Sequence, residues 1–561
     1  MSEPTPRDAR DESTGRFNGN VVGIVFLIVA FSVSLVISVK NTMSVERPTK
    51  PVLRIAHWQL EAGYRDAMQA VIDDYKKLHP EIDVVQMPVT EILYKQWINT
   101  QLISGTAPDI CEMGQSDLLS KDQGTVRYFL PLSGEISKPN PYNKGTDLEN
   151  TPWKETLLDG MRGGFREGLQ DYYGVSTTLV SQRLFYNKQL LKTAVDFYNS
   201  TNPKTKAVHG APDTFGQWMT QCQALKAYAA AKNPAVLPLV SCYGVWGIQA
   251  KFEPAYTAEL ANDYDFDLDG TTTDLEAYIA YRRGWIDLQT PQIKAVYETT
   301  RTVGDQMQQG FSGMDRQTAQ FRFVNGQAGF LWTGSWDAKG TDVQAKAKGF
   351  DIGIFPVPSP GPGEPNSQYV VGSAGETITG AGSYGISKSS TQIDQALDFL
   401  RFLSSRAENE KFNMIAEWPP LTIGAKPSEL MKPFTPDLRG LNSRLSLSFG
   451  SRVTQTAQAQ LLNYYQGDDT YASFAKSFRQ AINDPDRGGD WAWWDLFDKR
   501  ASDERNTERI LAQAQTLELL DPGSGDVKRY RRALLQEVSK NNGQDYLYLF
   551  KKYRGFDMPM H

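Results

Sequence analysis

Trp332, Trp336 and Asp337 lie within one short stretch, FRFVNGQAGFLWTGSWDAK, at residues 321–339. An indole ring can lie flat on the apolar face of a pyranose while a neighbouring carboxylate takes the hydroxyls. The plain alternative is that both tryptophans are core. Five carboxylates, Glu61, Asp109, Glu112, Asp337 and Glu376, offer the pair that glycoside hydrolysis requires. No spacing along the chain shows any two of them facing each other. Residues 265–276 fit the calcium-loop pattern D-x-D-x-D-G-x5-E, from Asp265 through Gly270 to Glu276. Thr272 stands where that loop wants an apolar residue, so an acidic turn ahead of a helix is the competing reading. Gly380, Gly382 and Gly385 spell GxGxxG, but the strand signal follows the glycines instead of preceding them, which favours close backbone approach over nucleotide binding. With four histidines and neither CxxC nor HExxH, a His-rich metal site is not expected, nor is a cofactor.

These residues need elements to position them. Residues 52–58, VLRIAHW, read as a buried strand. The run 61–78 carries Ala67, Val71, Ile72, Tyr75 and Leu78 at helical spacing, and His79-Pro80 ends it. A strand at 82–87, a helix at 93–103 and a strand at 110–113 follow. This β-α-β-α-β order predicts a parallel, doubly wound α/β sheet with ligands at the carboxyl ends of its strands. Those ends carry Trp58 and the turn from Glu112 to Ser116. In the opening stretch, the Asn325-Gly326 turn precedes a short strand at 329–332, which Gly334 breaks.

Several stretches, taken in order, resemble the bacterial extracellular solute-binding proteins of carbohydrate ABC importers, the group that includes maltose-binding protein. RIAHW is similar to the family's opening strand, HPEIDVVQ to its second, and SGTAPDICEMG to a turn and strand ending in ligand contacts. GVSTTLVSQRLFYNKQLL resembles the first crossing between lobes, although Ser176 stands where a proline is usual. FVNGQAGFLWTGSWD resembles the family's glycine-tryptophan segment, with Trp336 matching its sugar-stacking aromatic. DIGIFPVPSPGPG and GAGSYGISKSSTQIDQALDFLRFLSS resemble the proline loop, the return crossing and the helix after it. The resemblance covers roughly residues 52–425.

It implies two α/β lobes of the periplasmic binding protein type that close on a solute around crossing strands. Lobe one would hold 52–175 and 386–420, and lobe two 176–385 and 421–485. The expected ligand contacts are Trp58, Glu61, Glu112, Ser116, Thr178, Trp246, Trp332, Trp336, Glu376 and Trp418. Trp418, in a segment that resembles the family's re-entry into lobe two, fits core packing equally well. The solute is expected to be a mono- or oligosaccharide and the partner an ABC permease, with no catalytic residue. The alternative is a carbohydrate-active enzyme of the glycoside hydrolase kind.

Composition bounds the rest. The 561 residues exceed what one core serves, and a net charge of −6 argues against general nucleic-acid affinity. Residues 1–20 are a polar tail. Residues 21–39, VVGIVFLIVAFSVSLVISV, form an uncharged run long enough to cross a bilayer and lack an A-x-A cleavage pattern, so they read as one transmembrane signal anchor. A linker at 40–51 joins this run to the large domain, which is expected outside the cytoplasm. Cys111, Cys222 and Cys242 are too few for a disulfide framework, leaving a Cys222–Cys242 bridge open. Residues 486–561, with Trp491, Trp493 and Trp494, read as a helical extension that packs on the body.

Overall fold

The computed structural model describes residues 50–489, apart from 115–121, 167–168, 170, 242–245, 267–269, 271, 309, 379, 448, 450 and 487. The apolar run at 21–39, Ser116 and the tryptophans at 491, 493 and 494 therefore lie outside the described residues. Among the described residues no helix is long and apolar enough to cross a membrane.

The chain opens with β1 (Val52–His57), α1 (Tyr64–Leu78), β2 (Asp83–Pro88), α2 (Glu91–Ser104) and β3 (Ile110–Glu112). β1 pairs in parallel with both β2 and β3, as the sequence order predicts. Helix α1 buries Tyr64, Ala67, Met68, Val71, Ile72 and Tyr75, one stripe at three- and four-residue steps. Each large side chain of that stripe contributes about 1.5–3 kcal/mol by leaving water. Asp109 ties the edge together: its carboxylate accepts from the Arg54 backbone N–H (2.8 Å) and from the Ser390 hydroxyl (2.7 Å).

After a crossing strand β4 (Thr178–Leu179), the second body is built from β5 (Gln182–Asn187), α3 (Lys188–Thr201), α4 (Phe215–Ala231) and β6 (Leu237–Val240). It continues with α5 (Trp246–Tyr264), α6 (Asp274–Arg282), α7 (Pro291–Gly304), α8 (Arg316–Val324), β7 (Ala328–Gly334), α9 (Ala338–Ala347) and β8 (Ile352–Phe355). Its sheet runs β8-β5-β7-β6, with β5 antiparallel to both neighbours and β7 parallel to β6. This sheet is mixed, because β5 leaves the crossing in the direction opposite to β7 and β8.

The chain returns through β9 (Gly380–Ala381) and β10 (Tyr384–Ile386). β10 joins the first sheet antiparallel to β3, giving the order β10-β3-β1-β2. Residues 384–385, expected in the second lobe, thus pair with the first sheet, which is itself mixed at that edge. Helices α10 (Ile393–Leu403) and α11 (Arg406–Ala416) cover it, while α12 (Ser451–Gln466) and α13 (Tyr471–Ile482) pack with α6 and α7 around an aromatic core that includes Tyr297, Tyr464, Tyr465 and Phe474.

Three crossing segments lie side by side between the two sheets. β4 pairs with β9, and Thr178 bridges Pro420. The Leu179 N–H and the Thr178 hydroxyl both donate to the Pro419 carbonyl (2.9 and 2.7 Å), and the Asn409 side chain donates to the Thr177 carbonyl (2.7 Å). Three crossing segments bonded side by side leave a bend as the easiest relative motion of the two bodies.

Candidate functional site at the junction of the two bodies

The carboxyl ends of β1 and β3 bring Trp58 and Glu112 together. Glu112 is fully buried; its carboxylate accepts from the Gln59 amide (2.5 Å) and from the Trp58 backbone N–H (3.3 Å). Burial pushes its pKa up to about 8, against the opposing pull of those hydrogen bonds. The half-buried Trp58 ring meets Tyr94 edge-on at 5.2 Å and lies over Gly114, where a Cβ would stand 2.7 Å from its Cη2. Gly114 is therefore a residue that only its lack of a side chain permits.

Across the junction, Gly334 ends β7 and Ser335–Asp337 form a single 3-10 turn. The Trp336 ring folds back over Gly334, where a Cβ would lie 2.3 Å from it. Trp336 remains half-buried and packs against the core of the first body, although its own strand belongs to the second. Asp337 accepts from the Thr333 hydroxyl at 2.5 Å, and burial raises its pKa against the pull of Arg316. Arg316, the first residue of α8, reaches Glu61 on the first body at 3.0 Å and Asp337 at 3.9 Å. Trp418 is buried against Tyr64, ring centroids 5.1 Å apart, and the Tyr64 hydroxyl meets that of Tyr384 at 2.8 Å.

Trp58, Glu61, Glu112, Trp336 and Trp418 are thus gathered around the junction. Others are committed elsewhere. Trp332 is fully buried with Phe330, Trp218 and Phe252, on the face of β7 turned toward α4 and α5, and packs in the core of the second body. Thr178 is buried, and its hydroxyl holds Pro419 in the crossing segments. Glu376 forms a bidentate pair with buried Arg183 (2.6 and 2.7 Å) and a further bond to Lys251 (2.9 Å), which fastens the segment before β9 to β5 and α5. Burial pushes the Glu376 pKa up, but the two cations outweigh it and hold it down to about 2. Trp246 opens α5. Of the five carboxylates, Glu61 and Asp337 meet around Arg316, whereas Asp109 and Glu376 serve the fold. Glu276 gives both carboxylate oxygens to backbone N–H groups, of Phe266 (2.6 Å) and Thr273 (2.8 Å), in a capping box for α6. Glu276 thus caps the helix that follows the acidic turn, whose Asp267 and Asp269 lie outside the described residues. Cys222 is a free thiol buried in α4, and Cys242 lies outside the described residues.

Sequence reasoning missed Arg316, Gln59 and Lys339, whose side chain donates to the Ile415 carbonyl of α11. Arg316 carries no motif; it follows the helix cap Asp315 and is informative only once two distant segments meet.

The family model for bacterial extracellular solute-binding proteins matches residues 61–410. The chain belongs to that family. No curated protein sequence matches it. Among solved structures, the GacH receptor of Streptomyces glaucescens, known unliganded and in complex with acarbose, is 16% identical, with 77% of this chain and 97% of that chain covered and a TM-score of 0.52. A chitin oligosaccharide binding protein, also 16% identical, covers 77% of this chain and 98% of its own with a TM-score of 0.50. Apo RafE from Streptococcus pneumoniae has 16% identity, 77% and 97% coverage and a TM-score of 0.50. At such identity these likenesses establish the fold. This solute-binding protein therefore shares their fold.

Proposed function

We propose that this solute-binding protein is a non-enzymatic receptor that takes a mono- or oligosaccharide between its two bodies and delivers it to an ABC-type permease. The observation that carries the reading is Trp336, an indole held on a glycine-backed turn of one body and set against the other. Trp58, Glu61, Glu112 and Trp418 supply apolar and hydrogen-bonding surface around it, with Arg316 and Asp337 beside them. Solute-binding relatives with oligosaccharide-binding names support a sugar as the solute. Binding favours closure only insofar as the solute contacts both bodies better when they are closed. The lobes are taken as roughly 52–175 with 386–420 and 176–385 with 421–485, adjusted so that β10 lies in the first.

An enzymatic role has less support, since two of the five candidate carboxylates, Asp109 and Glu376, are committed to the fold. We further propose that residues 21–39 anchor the chain, with the short tail in the cytoplasm and the bodies outside. Protease added to intact spheroplasts should then digest the large domain and spare the tail.

The functional test is a thermal-shift screen of the full chain across mono- and oligosaccharides. A solute bound only by the folded form stabilises it by about 2.7 kcal/mol at a hundred times its Kd, which raises the melting temperature. At least one sugar should give a saturable rise. A complete set of sugars with no shift would refute the carbohydrate reading.

A further inference from the structure

Glu61 lies in the turn between β1 and α1, on the first body, whereas Arg316 begins α8, whose Ala319, Phe323 and Val324 pack with Leu331 of β7 in the second. Their 3.0 Å ion pair therefore spans the junction. The Glu61 side chain is only 11% exposed and that of Arg316 35%, so the pair is partly withdrawn from water and screened less than a surface pair. A second bond crosses nearby. The Lys339 ammonium, on α9 of the second body, donates to the Ile415 carbonyl in the last turn of α11, where the helix dipole favours a cation. The bond needs room at Gly63: a Cβ there would lie 2.5 Å from Lys339 Nζ and 2.8 Å from the Ile415 oxygen. Gly63 adopts a φ of 89°, the left-handed conformation that glycine accepts without strain, and it heads the helix that follows Glu61. The turn Glu61–Gly63 thus places both the anion and the gap.

We propose that Glu61 and Arg316, seconded by Lys339, form a latch between the two bodies. They are positioning residues that set how much of the ligand-free protein is already closed. A bend at β4, β9 and Pro419–Pro420 separates the partners, because each is fixed to a different sheet. Breaking the pair removes attraction from the closed form alone. Apparent affinity scales with the closed, binding-competent fraction, so a tenfold fall in that fraction by itself weakens binding tenfold. The consequence for affinity rests on the proposed binding function; the latch itself does not, and its test uses no ligand.

The experiment is small-angle X-ray scattering on the ligand-free full chain: wild type, Glu61→Gln, Arg316→Gln, the double variant and Arg316→Lys. Both single variants should show a larger radius of gyration than wild type. The double variant should be no more open than either single, since one interaction is lost in all three. Arg316→Lys keeps the charge and should stay closer to wild type. Raising the salt should expand wild type toward the variants. Unchanged urea midpoints show that expansion is opening, not unfolding. Equal radii across the set, or additive expansion in the double variant, would overturn the latch. A sugar screen without hits would refute the binding reading and leave this result standing.

Discussion

Glu112→Gln should reverse the sign of its effect on stability between pH 4 and pH 8. In the folded chain the Glu112 carboxyl has a pKa of about 8, against 4.5 for an ordinary glutamate, because it is fully buried. The folded state therefore holds this proton where the unfolded state has released it. Its stabilising contribution is complete below about pH 4.5 and is lost as the pH rises through about 8. At 1.36 kcal/mol per pH unit, the wild type loses roughly 4 kcal/mol relative to a non-titrating variant between pH 4 and pH 8. Glutamine has the same shape and still accepts from Gln59, but its amide nitrogen replaces the oxygen that accepts from the Trp58 N–H. That loss costs about 1 kcal/mol at every pH. The variant should thus be about 1 kcal/mol less stable at pH 4 and about 3 kcal/mol more stable at pH 8. Urea midpoints of both proteins at half-unit pH steps measure this, and taking the difference cancels all other titrating groups. Parallel curves would refute the reasoning, since they would mean that the carboxylate is ionised and accommodated throughout.

Trp336→Ala should weaken sugar binding by about thirtyfold or more while the fold survives, because a stacked hot-spot ring is worth about 2–4 kcal/mol; calorimetric titration with the sugar found in the screen measures it, and unchanged affinity would return Trp336 to packing. Trp332→Ala should instead lower stability by about 3–5 kcal/mol, as for any fully buried large ring, and a urea midpoint close to wild type would deny its core role. Glu376→Gln leaves the Arg183 guanidinium buried without its counter-charge, which costs about 3–5 kcal/mol at neutral pH. Glu376 is held at a depressed pKa, so its contribution is present above about pH 4.5 and is lost as the pH falls toward 2. Wild type and variant should therefore converge in denaturant scans at low pH, and a constant gap would contradict the assignment.

The first sheet was legible because period and order carried it: the helical stripe from Ala67 to Tyr75 and three short apolar runs specify β-α-β-α-β without reference to anything distant. The second was not, since the direction of β5 depends on crossing segments some two hundred residues apart in the chain, Thr178 beside Gly380–Ala381. The tryptophans show the same divide. Local pattern placed Trp332 and Trp336 together, but Trp332 sits within a strand buried on both faces whereas Trp336 follows the glycine that ends it. Period two then sends Trp332 to the same side as Phe330, into the core. Carboxylates were the hardest to read: Glu376 and Glu112 look alike in sequence, yet one faces two cations and the other an amide and a backbone N–H. Their roles follow from partners 193 positions away at Arg183 and 53 at Gln59.

A crystal structure of the full chain with the sugar returned by the screen tests the central claim most directly. The account predicts one sugar ring against the Trp336 indole, with the remainder of the ligand facing Trp58, Glu61 and Glu112 on the other body. Density for the sugar on an outer face of either body, with Trp336 untouched, would contradict it.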